Sequence, residues 1–244
     1  MCERIELLKI PLDILPRDKL EEVVFTLLND SEGKNIVLLS IWDLLYARHN
    51  LEYREYVKSA ALVIPISKSL VRGARFLTGK TPDRYMPFNF IIALLTILEK
   101  RERTIYLLGG KNSVLAKAER HIRDTFPKLR IIGRFPGHFK KHNEDTLIQI
   151  IRKSAPSLLL VNDGVPGSER WIARSNARLN AGLRLWVSDI FDVFAKRKSR
   201  PSKIMFDNGL EWIGFCFQKP LRFFRIFSYI YYNILLLVYK LMKK

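Results

Sequence analysis

The chain has only two cysteines, Cys2 and Cys216, and neither stands in a spacing that would make a disulfide framework or a thiolate metal site. Cys216 lies in an apolar, helix-like run and reads as a small core residue. The start, MCERIELLKIPLDILP, lacks the basic segment and apolar run of a secretory signal, so a reducing compartment is expected. Asp-x-Asp is absent, and His49, His121, His138 and His142 show no ligand spacing; neither metal nor cofactor is expected. No uncharged run reaches the ~20 residues of a spanning helix. Internal repeats and low-complexity linkers are missing as well.

Acidic residues are scarce relative to basic ones: 24 against 42, a formal net charge of +18. Such an excess favours polyanions, whether nucleic acid, anionic lipid or phosphorylated substrates. The charge thickens at KRKSRPSK (196–203) and returns around the C-terminal aromatic segment. Specific nucleic-acid binding is not expected. No binding module is recognisable, and the aromatic residues cluster with leucines rather than alternating with cations.

What is present is core. Hydrophobic residues make up 48% of 244 positions, enough for one large domain or a domain with an appendage. Short β-branched or leucine-rich runs at 35–40, 61–65, 104–108, 129–133, 157–162 and 183–187 predict strands, several of them nearly all apolar as in strands covered on both faces. Helical periodicity lies between them. At 113–126 it places Leu115, Ala118, Ile122 and Thr125 on one side, and at 144–154 it aligns Leu147, Ile148 and Ile151. Strand alternating with helix predicts an α/β fold, a Rossmann-like, mostly parallel, doubly wound sheet with flanking helices. The strands stop after about Asp189. The expected organisation is an α/β domain over 1–189 and a helical, basic appendage over 190–244.

Within that appendage, IFSYIYYNILLLVY (226–239) carries no charge, with Arg222 and Arg225 before it and Lys240, Lys243 and Lys244 after it. The bracketing cations and tyrosines suit a helix lying in an anionic headgroup layer. The plainer reading is a helix packed on the domain or in an oligomer interface.

Four stretches carry a family resemblance: IYLLGGKNSVLAKAERHIRDTFPKLRIIGRFPGHF, LLLVNDGVPGSERWIAR, WVSDIFDVFAKRKSRPSK and NGLEWIGFCFQKPLRFFR. In order and spacing they resemble the WecG/TagA/CpsF glycosyltransferases, over nearly the whole chain and most weakly in its N-terminal third. The resemblance implies a bacterial, cytoplasmic enzyme, peripheral on the inner face of the membrane. It would move an N-acetylmannosamine-type sugar from a UDP donor to a polyprenyl-diphosphate-linked acceptor, with inversion, for teichoic acid, common antigen or capsule. Such chemistry needs a base for the acceptor hydroxyl and cationic or N–H groups facing the leaving diphosphate. A homo-oligomer is compatible with it.

Residue by residue, Gly109 and Gly110 follow a strand and precede a helix, where backbone approaches phosphate or merely turns. Arg84, in TPDRYM, matches the family arginine expected at the donor diphosphate; alone it would read as a solvated surface residue. Asp163, Gly164, Pro166, Ser168 and Glu169 form the loop at a strand's carboxyl end, where ligands of open sheets lie. Trp171 reads as packing. Gly137 and His138 stand in the family's Gly-Tyr-Phe turn. Arg200, Arg222 and Arg225 match basic positions expected to face lipid phosphates.

The departures are concentrated. Where the family has its proposed general base, an Asp-Gly pair, this chain has Ile66-Ser67. Leu38 and Ser40 replace a Thr-x-Asn, Pro87 and Asn89 a Gly-x-Asp, Ser168 a Gln, and Phe215 an Arg. Three readings follow. The base has moved, with Asp163, Asp189 and Glu169 the carboxylates nearest the expected cleft and Asp163 or Asp189 the relocated base; or the chain binds nucleotide sugar and lipid carrier without turnover; or LVIP is shifted relative to the family strand.

Overall fold

The computed structural model describes all residues except 1, 31, 201, 210–224, 243 and 244; the side chains of 225 and 226 are also undescribed. Cys216, Phe215 and Arg222 therefore lie outside the described residues. The architecture is α/β. A six-stranded sheet runs β4-β3-β8-β7-β5-β6, all recorded pairings within it parallel, beside a separate antiparallel pair, β1-β2. The chain divides into two compact units, one of residues 1–17, 38–86 and 201–244, the other of 18–37 and 87–200.

In the first unit, β1 (Glu3–Leu7) and β2 (Ile10–Ile14) make a hairpin in which Ile5 faces Leu12. Its turn, Leu8-Lys9, has φ of 52° and 68°, the left-handed pair that a two-residue loop needs to match strand twist. The hairpin is clipped to β4 (Leu62–Pro65) by Asp13. That carboxylate is 3% exposed, accepts the Val63 N–H at 2.6 Å and takes two donors from Arg4 at 2.7 and 2.8 Å. Helix α2 (Ile41–His49) starts with a capping box between Ser40 and Asp43. Helices α3 (Leu51–Ser59) and α4 (Lys68–Thr78) follow, α4 ending at Gly79 with φ of 75°.

The second unit holds the carboxyl-terminal site and most of the sheet. Strand β3 (Lys34–Leu39) pairs through Lys34–Ile36 with β8 (Leu183–Ser188). Inward from there lie β7 (Leu158–Asn162), β5 (Thr104–Leu108) and, at the edge, β6 (Arg130–Phe135). Every residue of β7 is buried, as its unbroken apolar run requires. Strand β6 alternates exposed and half-buried positions, as an edge strand not covered on both faces. Around these strands stand α1 (Leu20–Leu28), α5 (Pro87–Lys100), α6 (Asn112–Thr125) and α7 (Glu144–Ser154), then the short α8 (Arg170–Ser175) and α9 (Ile190–Phe194). Helix α6 buries Val114, Leu115, Ala118 and Ile122. Thr125, expected on that face, is exposed and turns its hydroxyl back to the His121 carbonyl at 2.7 Å. A threonine at a helix end satisfies itself this way more cheaply than by burial.

The chain then returns to the first unit with α10 (Lys203–Asn208) and α11 (Arg225–Met242). One face of α11 is docked. Tyr232 and Leu236 are buried, the Tyr232 hydroxyl donates to Ser69 O at 3.0 Å, and Arg48 reaches the Tyr239 oxygen at 3.1 Å. The opposite face is apolar and open: Phe227, Ile230, Ile234, Leu237 and Leu241 are 50–73% exposed.

Candidate functional site

The carboxyl ends of β5, β6, β7 and β8 are laced together by their loops. Gly109 N–H donates to Phe135 O at 2.9 Å and Gly110 N–H to Asp163 O at 2.6 Å. Gly137 N–H reaches Gly110 O at 2.8 Å, and Asp163 N–H reaches Ser188 O at 2.8 Å. A side chain on Gly109 would run into the Asn162 backbone, and its φ of 112° is one that L residues rarely adopt. Gly109 is therefore a requirement of strand ends meeting. The amide hydrogens of both glycines point at carbonyls, so the donors available for an anion are those further along, in the first turn of α6.

At this rim stand two carboxylates. Asp163 is exposed, yet its carboxyl is held above the ordinary range, first by desolvation, then by the neighbouring Asp189; Lys198 pulls the other way. Asp189 is ion-paired with Lys198. Asp163 is thus more basic than an ordinary carboxylate, and the cation beside it is paired with Asp189. Behind them Asn162, fully buried, accepts the Phe191 N–H at 3.0 Å, tying the first turn of α9 to the end of β7.

The loop 163–169 is braced from below. Arg174 donates to Pro166 O at 3.1 Å and fills the space beside Gly167. Ser168 takes φ of 54° and bonds Val165 O at 2.9 Å. Glu169 precedes α8, in which Trp171 is wholly buried, the packing role expected of it. The ring of His138 lies against Gly164. Arg200 stacks on Phe88 with its guanidinium carbon 4.6 Å from the ring centroid. The Arg225 side chain is not described.

In the first unit, Arg84 is a half-buried pin rather than a solvated surface residue. Its Nε donates to Ile66 O at 2.8 Å and its Nη1 to Phe206 O at 2.5 Å, with the guanidinium 3.7 Å from the Phe206 ring centroid. Burial lowers its pKa to about 10, against a small opposing pull from Asp207. Two of the other departures are structural parts: Ser40 caps α2, and Ser67 Oγ accepts the Ile41 N–H at 3.2 Å.

Sequence reading passed over Asn162 and Lys198. A polar residue closing the otherwise apolar LLLVN was the available signal for the first; nothing local distinguishes the second within KRKSRPSK.

The glycosyl transferase WecG/TagA/CpsF family model matches residues 5–244. The chain belongs to this family. A relative from Bacillus spizizenii (strain ATCC 23059 / NRRL B-14472 / W23) is 22% identical over 203 residues, 83% of this chain and 78% of its own length. That protein is described as N-acetylglucosaminyldiphosphoundecaprenol N-acetyl-beta-D-mannosaminyltransferase. The family match covers the four stretches on which the resemblance rested and also the N-terminal third from residue 5 onward.

Proposed function

We propose that the protein transfers an N-acetylmannosamine-type sugar from a UDP donor to a polyprenyl-diphosphate-linked acceptor, with inversion, for a cell-envelope polysaccharide. The observation that carries the reading is the Asp163–Asp189–Lys198 group at the strand ends, where one carboxyl is raised and the other neutralised. Asp163, as carboxylate, takes the acceptor hydroxyl proton while that oxygen attacks the anomeric carbon. The bond to the donor diphosphate breaks on the opposite face, and its electron pair leaves with UDP. Glu169, Gly164, Pro166, Ser168 and Gly137 shape the donor pocket.

The acceptor lies in a membrane, and the open face of α11 is the surface that meets it. Among the described residues no helix is long and apolar enough to cross a membrane. An amphipathic helix with one apolar face docked and one exposed instead lies in the headgroup layer, with Lys240 as a cation at its end and, by their place in the sequence, Arg200, Arg222 and Arg225 as further basic positions for lipid phosphates.

UDP release from UDP-N-acetylmannosamine, with a short-chain polyprenyl-diphosphate-N-acetylglucosamine acceptor, tests the enzyme. Asp163→Asn is expected to lower the rate by about 10²–10⁴-fold, the usual contribution of a positioned base. An unchanged rate would remove Asp163 from the mechanism.

A second reading has its own observation: Arg84 gives Nε and Nη1 to the Ile66 and Phe206 carbonyls. A catalytically silent member would bind UDP-sugar, release no UDP and act beside a partner enzyme. Donor binding without turnover in the same experiment distinguishes it.

A further inference from the structure

Asn162 ends β7 with a fully buried side chain. Because its Oδ1 accepts the Phe191 N–H, the orientation of the amide is settled and Nδ2 faces the other way. Nδ2 is buried and meets no acceptor among the described residues. Native interiors leave few donors in that condition, and each one calls for a reason. Its direction is given by Gly110. Apart from the flanking residues, the place a side chain there would take is bounded, among the described residues, by Nδ2 at 3.6 Å and Phe191 Cδ2 at 3.9 Å. The same turn delivers α6, a 14-residue helix without a side-chain cap. Its recorded first-turn bonds are those of Val114 and Leu115 to Lys111 O, beyond the N–H groups of Asn112 and Ser113.

We infer that Asn162 is a binding residue for the donor diphosphate: its Nδ2 and the uncapped start of α6 seat a phosphoryl oxygen over Gly110. Its Oδ1 at the same time holds the first turn of α9. One side chain thereby links the seat to the segment that begins at Asp189. This rests on the nucleotide-sugar reading of the site, and the experiment keeps the two apart.

Calorimetry of the full chain with inorganic pyrophosphate, UDP and uridine compares wild type with Asn162→Asp, Asn162→Ala and Gly110→Ala. Asn162→Asp keeps an oxygen for Phe191 N–H and replaces the donor by an acceptor. It should weaken pyrophosphate and UDP by about tenfold or more, roughly one charge-assisted hydrogen bond, and leave uridine within about twofold. Gly110→Ala should weaken the same two ligands by filling the space beside Nδ2. Asn162→Ala loses the α9 tether too, so it should lower the melting temperature as well. Weakening by Asn162→Ala but not by Asn162→Asp would reduce Asn162 to packing and overturn the inference. Wild type that binds pyrophosphate but not UDP, with the loss in Asn162→Asp intact, keeps the seat and removes the nucleotide-sugar reading. UDP held equally by wild type and Asn162→Asp keeps that reading and removes the seat. Binding of neither ligand by wild type removes both.

Discussion

The Tyr232 hydroxyl lies where a side chain on Gly73 would have to go, and from there it donates to the Ser69 carbonyl at 3.0 Å. Elsewhere in a helix, Gly→Ala is worth up to about 1 kcal/mol of stabilisation. Here the sign reverses. Gly73→Ala is expected to destabilise the first unit by about 1–3 kcal/mol through overpacking, read as a lower midpoint in chemical denaturation. Tyr232→Phe alone should cost about 1 kcal/mol, and in its background Gly73→Ala should cost less. Additive losses would mean the two positions do not touch.

Asp163 predicts a stability change opposite to its activity change. Its carboxyl pKa is raised on folding, so the folded chain holds that proton more tightly than the unfolded chain. The stabilisation is fully present below the unfolded pKa, near 4, and is lost as pH rises through the folded value. At neutral pH the ionised group therefore weighs against folding. Asp163→Asn should raise the melting temperature at pH 7, and the gain should shrink towards pH 3. In the wild type, transfer should fall as pH drops through the raised pKa. A melting temperature that falls at pH 7 would contradict the assigned environment.

Arg84 should resist replacement by lysine. Its fork serves two carbonyls at once and its plane lies on Phe206, which a single ammonium cannot reproduce. Both Arg84→Lys and Arg84→Ala are expected to lower stability by about 1–3 kcal/mol. Comparing denaturation midpoints with UDP affinity separates the pin from a ligand to phosphate. If Arg84→Lys keeps full stability and loses only UDP binding, the pin is not what holds this residue.

The open face of α11 can be changed without touching its docked face. Leu237→Glu, at a position 57% exposed, should alter stability by no more than about 0.5 kcal/mol. On vesicles containing anionic phospholipid, the same variant should sediment far less than wild type, and salt should weaken binding of both. Equal sedimentation would assign the face to another partner.

The parallel strands were legible because burial on both faces leaves them apolar end to end, as in LLLV before Asn162. The β1-β2 hairpin was not. Its turn is Leu8-Lys9 rather than the Asn-Gly that usually announces one, and Leu8 is itself buried. At the site, Gly109, Gly110 and Asp163 were readable from their place just after strands. The partners that give them chemistry were not, since the Asp189–Lys198 ion pair depends on how a basic run folds back. Arg84 shows the same limit: its acceptors lie 18 and 122 positions away, a relation that spacing does not encode.

The first unit is assembled from three separated pieces of chain, residues 1–17, 38–86 and 201–244. On a ribosome, the hairpin and α2–α4 emerge long before α11, and all of 87–200 must be made in between. Until then Gly73 and the groove around it have no Tyr232 to cover them. Closing so long a loop is entropically slow, and apolar surface waiting for it invites association with other nascent chains. The second unit, whose longer piece is continuous, can form while that wait lasts. The helix proposed to meet the membrane is thus also the one that covers Gly73.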